Sequence, residues 1–207
     1  IDRFAHHGFR PETMMPVYGL AESSVGLAFP VPGSTIMIDK IDRHTFMGTG
    51  KASQAGEGGT DPLEFVSCGQ PLPGHQIRIV DATDRELPER TEGSLQFTGP
   101  STTSGYFKNP DKTKEMFHGQ WLDSGDKAYL AAGNVYITGR TKDIIIRAGR
   151  NIYPVELEEA IGKVDGIREG NVAVFGSKSS QLMRKKMSTS ALIYASSLSL
   201  SESESEL

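Results

Sequence analysis

Cysteine, tryptophan and long apolar runs are what this sequence of 207 residues has least of, with one Cys and one Trp in all. The single thiol, Cys68, excludes an internal disulfide framework and a four-cysteine zinc site, and it fits a reducing compartment, the cytoplasm being the expected one. No apolar stretch approaches the roughly 20 residues that span a bilayer, and the first residues, Ile1 to His7, carry no signal-peptide pattern. Charge of one sign is also lacking. Lys and Arg number 22 against 26 Asp and Glu, a formal net charge of −4 without any long basic block, which argues against a nucleic-acid partner. The five histidines, His6, His7, His44, His75 and His118, show no metal-ligand spacing and read as surface or structural residues. The chain opens on Ile1, which points to a start other than that of a gene.

What is present is enough for one domain, or one plus part of another, around a real core. The first two-thirds alternates short apolar runs with Gly and Pro, the pattern of strands joined by turns. It predicts strands at Ile77 to Val80, Leu95 to Thr98, Val135 to Thr138 and Asp143 to Ala148. From Tyr153 the period changes. Pro154 suits a first helical position, Glu156, Glu158 and Glu159 suit the positive N-terminal end, and Leu157, Ile161 and Val164 share one face. A buried strand, Val172 to Phe175, is expected next. Two segments differ in composition. Gly48 to Thr60, rich in Gly, Ala, Ser and Gln, predicts a mobile insertion, and Ser196 to Leu207 a disordered low-complexity end.

Four segments carry chemistry. Tyr18-Gly19-Leu20-Ala21-Glu22 precedes an expected helix start. Glu92 to Gly99 and Ser104-Gly105-Tyr106-Phe107 lead to Trp121-Leu122-Asp123-Ser124-Gly125-Asp126. Gly139-Arg140-Thr141-Lys142-Asp143, Gly149 and Asn151-Ile152-Tyr153-Pro154 complete the set. Together they offer an aromatic face for a base, a carboxylate for a metal, an acid for sugar hydroxyls and an arginine beside it.

In that order, over about residues 9 to 177, these segments resemble the adenylate-forming superfamily of acyl-CoA synthetases, fatty acyl-AMP ligases and peptide-synthetase adenylation domains. Val66 to Gly74 and Gly149 to Pro154 look closest to fatty acyl-AMP ligases and long-chain acyl-CoA synthetases. The resemblance implies a mixed α+β fold: residues 1–140 as the strand-rich end of a large AMP-binding domain, 141–177 as the start of a small α+β domain, and 178–207 as a divergent, disordered tail. It implies that Tyr18 stacks on adenine, Gly19 admits the nucleotide, Glu22 holds Mg²⁺, and Asp126 and Arg140 bind the ribose, with Ile137 near the nucleoside. Lys142 takes the hinge position and Gly149 the loop that opens to a pantetheine thiol. The implied reaction uses ATP and Mg²⁺ to convert a fatty acid into acyl-AMP and pyrophosphate, followed by acyl transfer to a carrier protein or CoA. Asn151, where many thioester-forming relatives carry arginine, leans toward the carrier protein. The family's phosphate loop and catalytic lysine have no counterpart among these residues, and Lys185 and Lys186 sit in no matching context.

Taken singly, most of these residues have plainer explanations. Tyr18 and Glu22 alone read as a core aromatic and a solvated acid, Asp126 as the end of a Ser-Gly-Asp turn, and Arg140 and Lys142 as surface charges. Gly105 and Gly149 are turn devices, Tyr106, Phe107 and Trp121 read as core, and Cys68 as a packing residue. Their order favours part of a fatty-acid-activating ligase. The competing expectations are a non-catalytic nucleotide- or protein-binding remnant of that fold and a purely structural strand-rich module.

Overall fold

The computed structural model of the chain describes residues 2–56, 61–147, 150–168, 170–178 and 189–195. The chain divides into two compact units, Ile1–Lys142 and a second from Asp143 onward. In chain order the first unit carries α1 (Asp2–Ala5), β1 (Ala28–Phe29), β2 (Ile38–Ile41), α2 (Arg43–Thr49), β3 (Leu63–Val66) and β4 (Gln70–Pro71). Then come β5 (Gln76–Val80), β6 (Gly93–Thr98), α3 (Pro110–Met116), β7 (Phe117–His118), β8 (Trp121–Ala131) and β9 (Asn134–Arg140). The expected strands at Ile77, Leu95 and Val135 fall inside β5, β6 and β9.

Five of these strands form one antiparallel sheet built on β8. One edge of β8 pairs with β6, and its other edge pairs first with β7 and then with β9, so that Leu122 meets both Phe97 and Phe117 while Ala128 meets Gly93 and Ile137. The turns follow from local chemistry. At Pro73-Gly74 the Gly74 φ of 80° closes a bond from His75 N to Leu72 O, and between β8 and β9 both Ala132 and Gly133 have positive φ, as a two-residue hairpin turn requires. Glu89 secures that turn by accepting the amides of Ala132 and Gly133, each at 3.0 Å. Leu27, Ile79, Leu95, Phe97, Leu122 and Val135 form the buried centre.

Two helices of this unit are absent from the strand-and-turn pattern of the sequence. Asp42 caps α2 by accepting the Thr45 amide at 2.7 Å, and Asn109 caps α3 with Pro110 at its first position. The expectation of a mobile insertion at Gly48 to Thr60 is corrected over its described part. Gly48 and Thr49 end α2, Ala52 is fully buried with its amide on Arg90 O at 2.9 Å, and Lys51 and Gln54 bridge to Thr91 and Ile41. Small residues here let the backbone pack closely against its neighbours, an alternative to looseness that composition does not distinguish. Residues 57–60 lie outside the described residues.

The second unit contains β10 (Ile145–Arg147), β11 (Arg150–Ile152), α4 (Pro154–Gly162), β12 (Val172–Lys178) and β13 (Thr189–Ala195). β10 pairs with β11 and β12 with β13, all antiparallel. Ile145, Val172 and Val174 form its core, with Ile152, Leu157, Ile161 and Ile167 packed against them. Helix α4 starts at Pro154 as expected, and the carboxylate of Glu158 accepts the Val174 amide at 2.9 Å, tying helix to strand. It ends two residues before Val164. Gly162 is its last residue, and Val164 lies exposed in the following turn instead of extending the apolar face. The strand expected from Asp143 is confined to Ile145–Arg147; Ala148, Gly149 and the Ser196 to Leu207 segment lie outside the described residues. Among the described residues, no helix is long and apolar enough to cross a membrane.

Candidate functional site

The carboxylate of Asp126 is placed by an irregularity in β8. Opposite Leu95 alone stand Ser124, Gly125 and Asp126, because Ser94 pairs with Lys127 and Gln96 with Asp123. Such a bulge bends a strand and re-aims its side chains. Gly125 supplies the left-handed φ of 75° that the bulge needs, and Ser124 fills it by donating to Leu95 O at 2.9 Å and accepting the Asp126 amide at 3.1 Å. The Ser-Gly-Asp triplet, read from sequence as a turn, therefore lies inside an 11-residue strand.

Asp126 and Arg140 are direct cross-strand partners of β8 and β9. The Arg140 Nε stands 3.6 Å from Asp126 Oδ1, beyond hydrogen-bond range, with the arginine side chain 63% exposed and the aspartate 13% exposed. The other oxygen, Oδ2, accepts the Tyr18 hydroxyl at 2.6 Å. Burial, then this bond to Asp126, push the Tyr18 hydroxyl far above its ordinary pKa, so it stays a donor. Tyr18 is only 8% exposed and belongs to the main core cluster, while Ile137, half-buried, packs against that cluster.

The Tyr18 segment is a closed loop. Tyr18 bridges to Ala28, Leu20 O accepts the amides of Ser23 and Val25, and Ser24 and Val25 both adopt positive φ. A Cβ at Gly19 would lie 1.5 Å from Val25 O, so glycine is required by the loop's own backbone. The expected helix start is one short 3₁₀ turn, Ala21–Ser23, ended by the left-handed Ser24. Glu22 sits half-buried on that turn, and its Oε1 accepts the hydroxyl of Tyr106 at 2.8 Å. Tyr106 and Phe107 are thus corrected from core to surface: Phe107 is 88% exposed and Tyr106 44%, because both lie on the loop entering α3. Trp121 is half-buried, with the Arg78 guanidinium 4.6 Å from its ring centroid.

Lys142 is exposed in a turn at the end of the first unit, and Asn151 pairs in register with Ile146. Gly149 lies outside the described residues, as do Lys185 and Lys186. Cys68 is half-buried and burial pushes its thiol pKa up, in keeping with a packing role. His75 contacts Ser101 Oγ at 2.7 Å, and His118 lies 3.4 Å from Asp84. Among the described residues there is no group of three or more His, Cys, Asp or Glu that could hold a metal unaided. The structure therefore gathers Tyr18, Asp126 and Arg140 at one place and Glu22 with Tyr106 at another on the same loop system. Tyr106 and Ser124 escaped a site reading of the sequence because their partners come from bulge geometry and a contact 84 positions away.

The fold is mixed and strand-rich, and its solved neighbours are adenylate-forming enzymes. One, from studies of fatty acyl-adenylate ligases from E. coli and L. pneumophila, matches at TM-score 0.79 with 36% identity, covering 87% of this chain and 32% of that one. A profile described as AMP-binding enzyme matches residues 1–107, and the chain belongs to the AMP-binding enzyme family. It is 36% identical over 177 residues to a putative acyl-CoA synthetase of Caulobacter vibrioides, covering 84% of this chain and 31% of the relative. It is 33% identical over 187 residues to the long-chain-fatty-acid–AMP ligase FadD26 of Mycobacterium tuberculosis, covering 84% and 32%. The chain thus spans about a third of the length of the curated relatives it matches.

Proposed function

We propose that this chain is part of an ATP-dependent ligase that activates a fatty acid as acyl-AMP, and that Asp126 and Arg140 bind the ribose. The carrying observation is the Asp126 carboxylate, aimed by a bulge, held at one oxygen by Tyr18 and faced across the strand by an exposed arginine. Two adjacent ribose hydroxyls donate well to one carboxylate, and Arg140 supplies a planar donor fork to the sugar oxygens. The burial of Tyr18 gives it the task of positioning Asp126 before any contact with adenine, and Ile137 lies in the same cluster for an apolar contact with the nucleoside.

Glu22 suits Mg²⁺, a hard cation that keeps several waters and binds one or two carboxylates together with substrate phosphates. Bound there, the ion neutralises charge on the phosphates. In the reaction a fatty carboxylate oxygen forms a bond to the α-phosphorus of ATP while the bond to pyrophosphate breaks. The residues of this chain orient the nucleoside for that displacement. The thiol sulfur of a carrier protein's phosphopantetheine or of CoA then bonds to the acyl carbon while the acyl–phosphate bond breaks and AMP leaves, with Lys142 as the hinge and Gly149 on the thiol path. Asn151 favours the carrier protein. The proposed compartment is the cytoplasm.

A second reading is a non-catalytic nucleotide- or protein-binding remnant of that fold. ATP–pyrophosphate exchange with a long-chain fatty acid, in an enzyme of the relatives' length carrying this stretch, separates the two. Exchange is expected, with nucleotide affinity roughly tenfold to a hundredfold weaker in Asp126→Ala and unchanged in His118→Ala. Equal effects of the two substitutions sink the ribose assignment, and no exchange at all favours the remnant.

A further inference from the structure

The geometry points to Tyr106 as a positioning residue that holds the Glu22 carboxylate ready for a hydrated divalent cation. This rests on the reading of Glu22 as the magnesium carboxylate. Three bonds tie the loop after β6 to the turn carrying Glu22: Thr103 N donates to Glu22 O at 2.8 Å, Ser101 Oγ to Ser23 O at 3.0 Å, and Tyr106 Oη to Glu22 Oε1 at 2.8 Å. The first two align the backbones. Only the third reaches the acid itself.

The main chain of Tyr106 is fixed from the other side. Its amide donates to Thr113 Oγ1 at 2.9 Å, its carbonyl accepts the Asn109 amide at 3.2 Å, and Thr113 Oγ1 donates to Asn109 O at 2.8 Å. Gly105 makes this possible. With φ at 136°, it sits where a Cβ would come within 2.3 Å of the Thr113 methyl, so the loop presses directly on α3. The tyrosine thus reaches from the first turns of α3 to Glu22 while it stays 44% exposed, which is a poor use of a large aromatic unless the hydroxyl matters.

The chemistry supports that use. A glutamate is among the side chains that lose most rotamer freedom on ordering, and a cation that takes only one carboxylate gains from finding it already ordered. Tyr106 occupies Oε1 and leaves Oε2 for the metal. A phenol donor stabilises the ionised carboxylate without adding a positive charge that would repel the cation.

The test is a Mn²⁺ titration of the full 207-residue chain, following paramagnetic broadening of backbone amides. Broadening is expected around Ala21 to Ser24 and Thr103, lost in Glu22→Gln. In Tyr106→Phe, which keeps the ring and the loop, the midpoint should rise roughly three- to tenfold, the worth of one net hydrogen bond, while amides elsewhere keep their positions. A wild-type response centred on Glu22 and lost in Glu22→Gln, yet unchanged in Tyr106→Phe, overturns the positioning role and leaves the Glu22 reading intact. Broadening that is absent around Glu22, or that survives Glu22→Gln, overturns both.

Discussion

Asp39 and Asp126 of the first unit are each joined by a tyrosine and an arginine, and the two groups end in different states. Asp39, 8% exposed, accepts the Tyr129 hydroxyl at 2.8 Å and both terminal nitrogens of Arg90, at 3.1 and 3.3 Å. Arg90 is itself held by a bond to Ala52 O at 2.7 Å. Asp126 accepts the Tyr18 hydroxyl, but Arg140 stops short of it and turns most of its length to solvent. A buried carboxylate with its arginine closed over it is a structural joint, here linking β2, β8 and the strand-like segment at Ala52. One with its tyrosine in place and its arginine open still has acceptor capacity to offer a ligand. The same residue types therefore do different work according to whether the cation is engaged.

Removing each acid breaks that comparison most sharply. Asp39→Ala should cost about 2–3 kcal/mol of unfolding free energy, less than the usual cost of breaking a fully buried pair, because Arg90 keeps some solvent contact. Urea denaturation monitored by circular dichroism measures it. Asp126→Ala should cost well under that, leaving its effect on the nucleotide; similar losses of stability from both substitutions would erase the distinction drawn here.

Both tyrosines share a pH dependence. Burial first, and the hydrogen bond to the aspartate second, raise the pKa of Tyr18 and of Tyr129 above the ordinary tyrosine value. The folded chain thus keeps protons that the unfolded chain releases. Stability from these groups is complete below the unfolded value of about 10 and falls as pH rises above it. Alkaline titration should show a late, cooperative rise of tyrosinate absorbance coincident with loss of ellipticity. Early titration of either tyrosine in the folded chain contradicts the burial argument.

The smallest effect sharpens the comparison. Tyr18→Phe keeps the ring in the core and removes only the donor to Asp126, so stability should change by about 1 kcal/mol or less. In an enzyme of the relatives' length carrying this stretch, the proposed ribose site predicts a few-fold drop in nucleotide affinity, roughly the worth of one lost hydrogen bond. An unchanged affinity would show that the bulge alone aims Asp126.

Local chemistry made much of this fold legible. The short apolar runs at Ile77, Leu95 and Val135 became strands because apolar, β-branched composition and the Pro73-Gly74 and Gly133 turns are short-range properties. Pro154 opened α4 for the same reason. The caps Asp42 and Asn109-Pro110 were equally local signals for α2 and α3, overshadowed by the strand pattern around them. The ordered motifs also placed the chain in its family, since order along a chain survives without any knowledge of contacts. Other features needed distant segments to meet. Ala52 packs on Arg90, Asp126 rides a bulge set by register with β6, and Tyr106 reaches Glu22 across a gap of 84 residues. Residue type and spacing determine which elements form and which groups are available. Which acid is closed by its arginine and which is left open depends on strand register and loop packing, and those are settled only when the whole sheet is assembled.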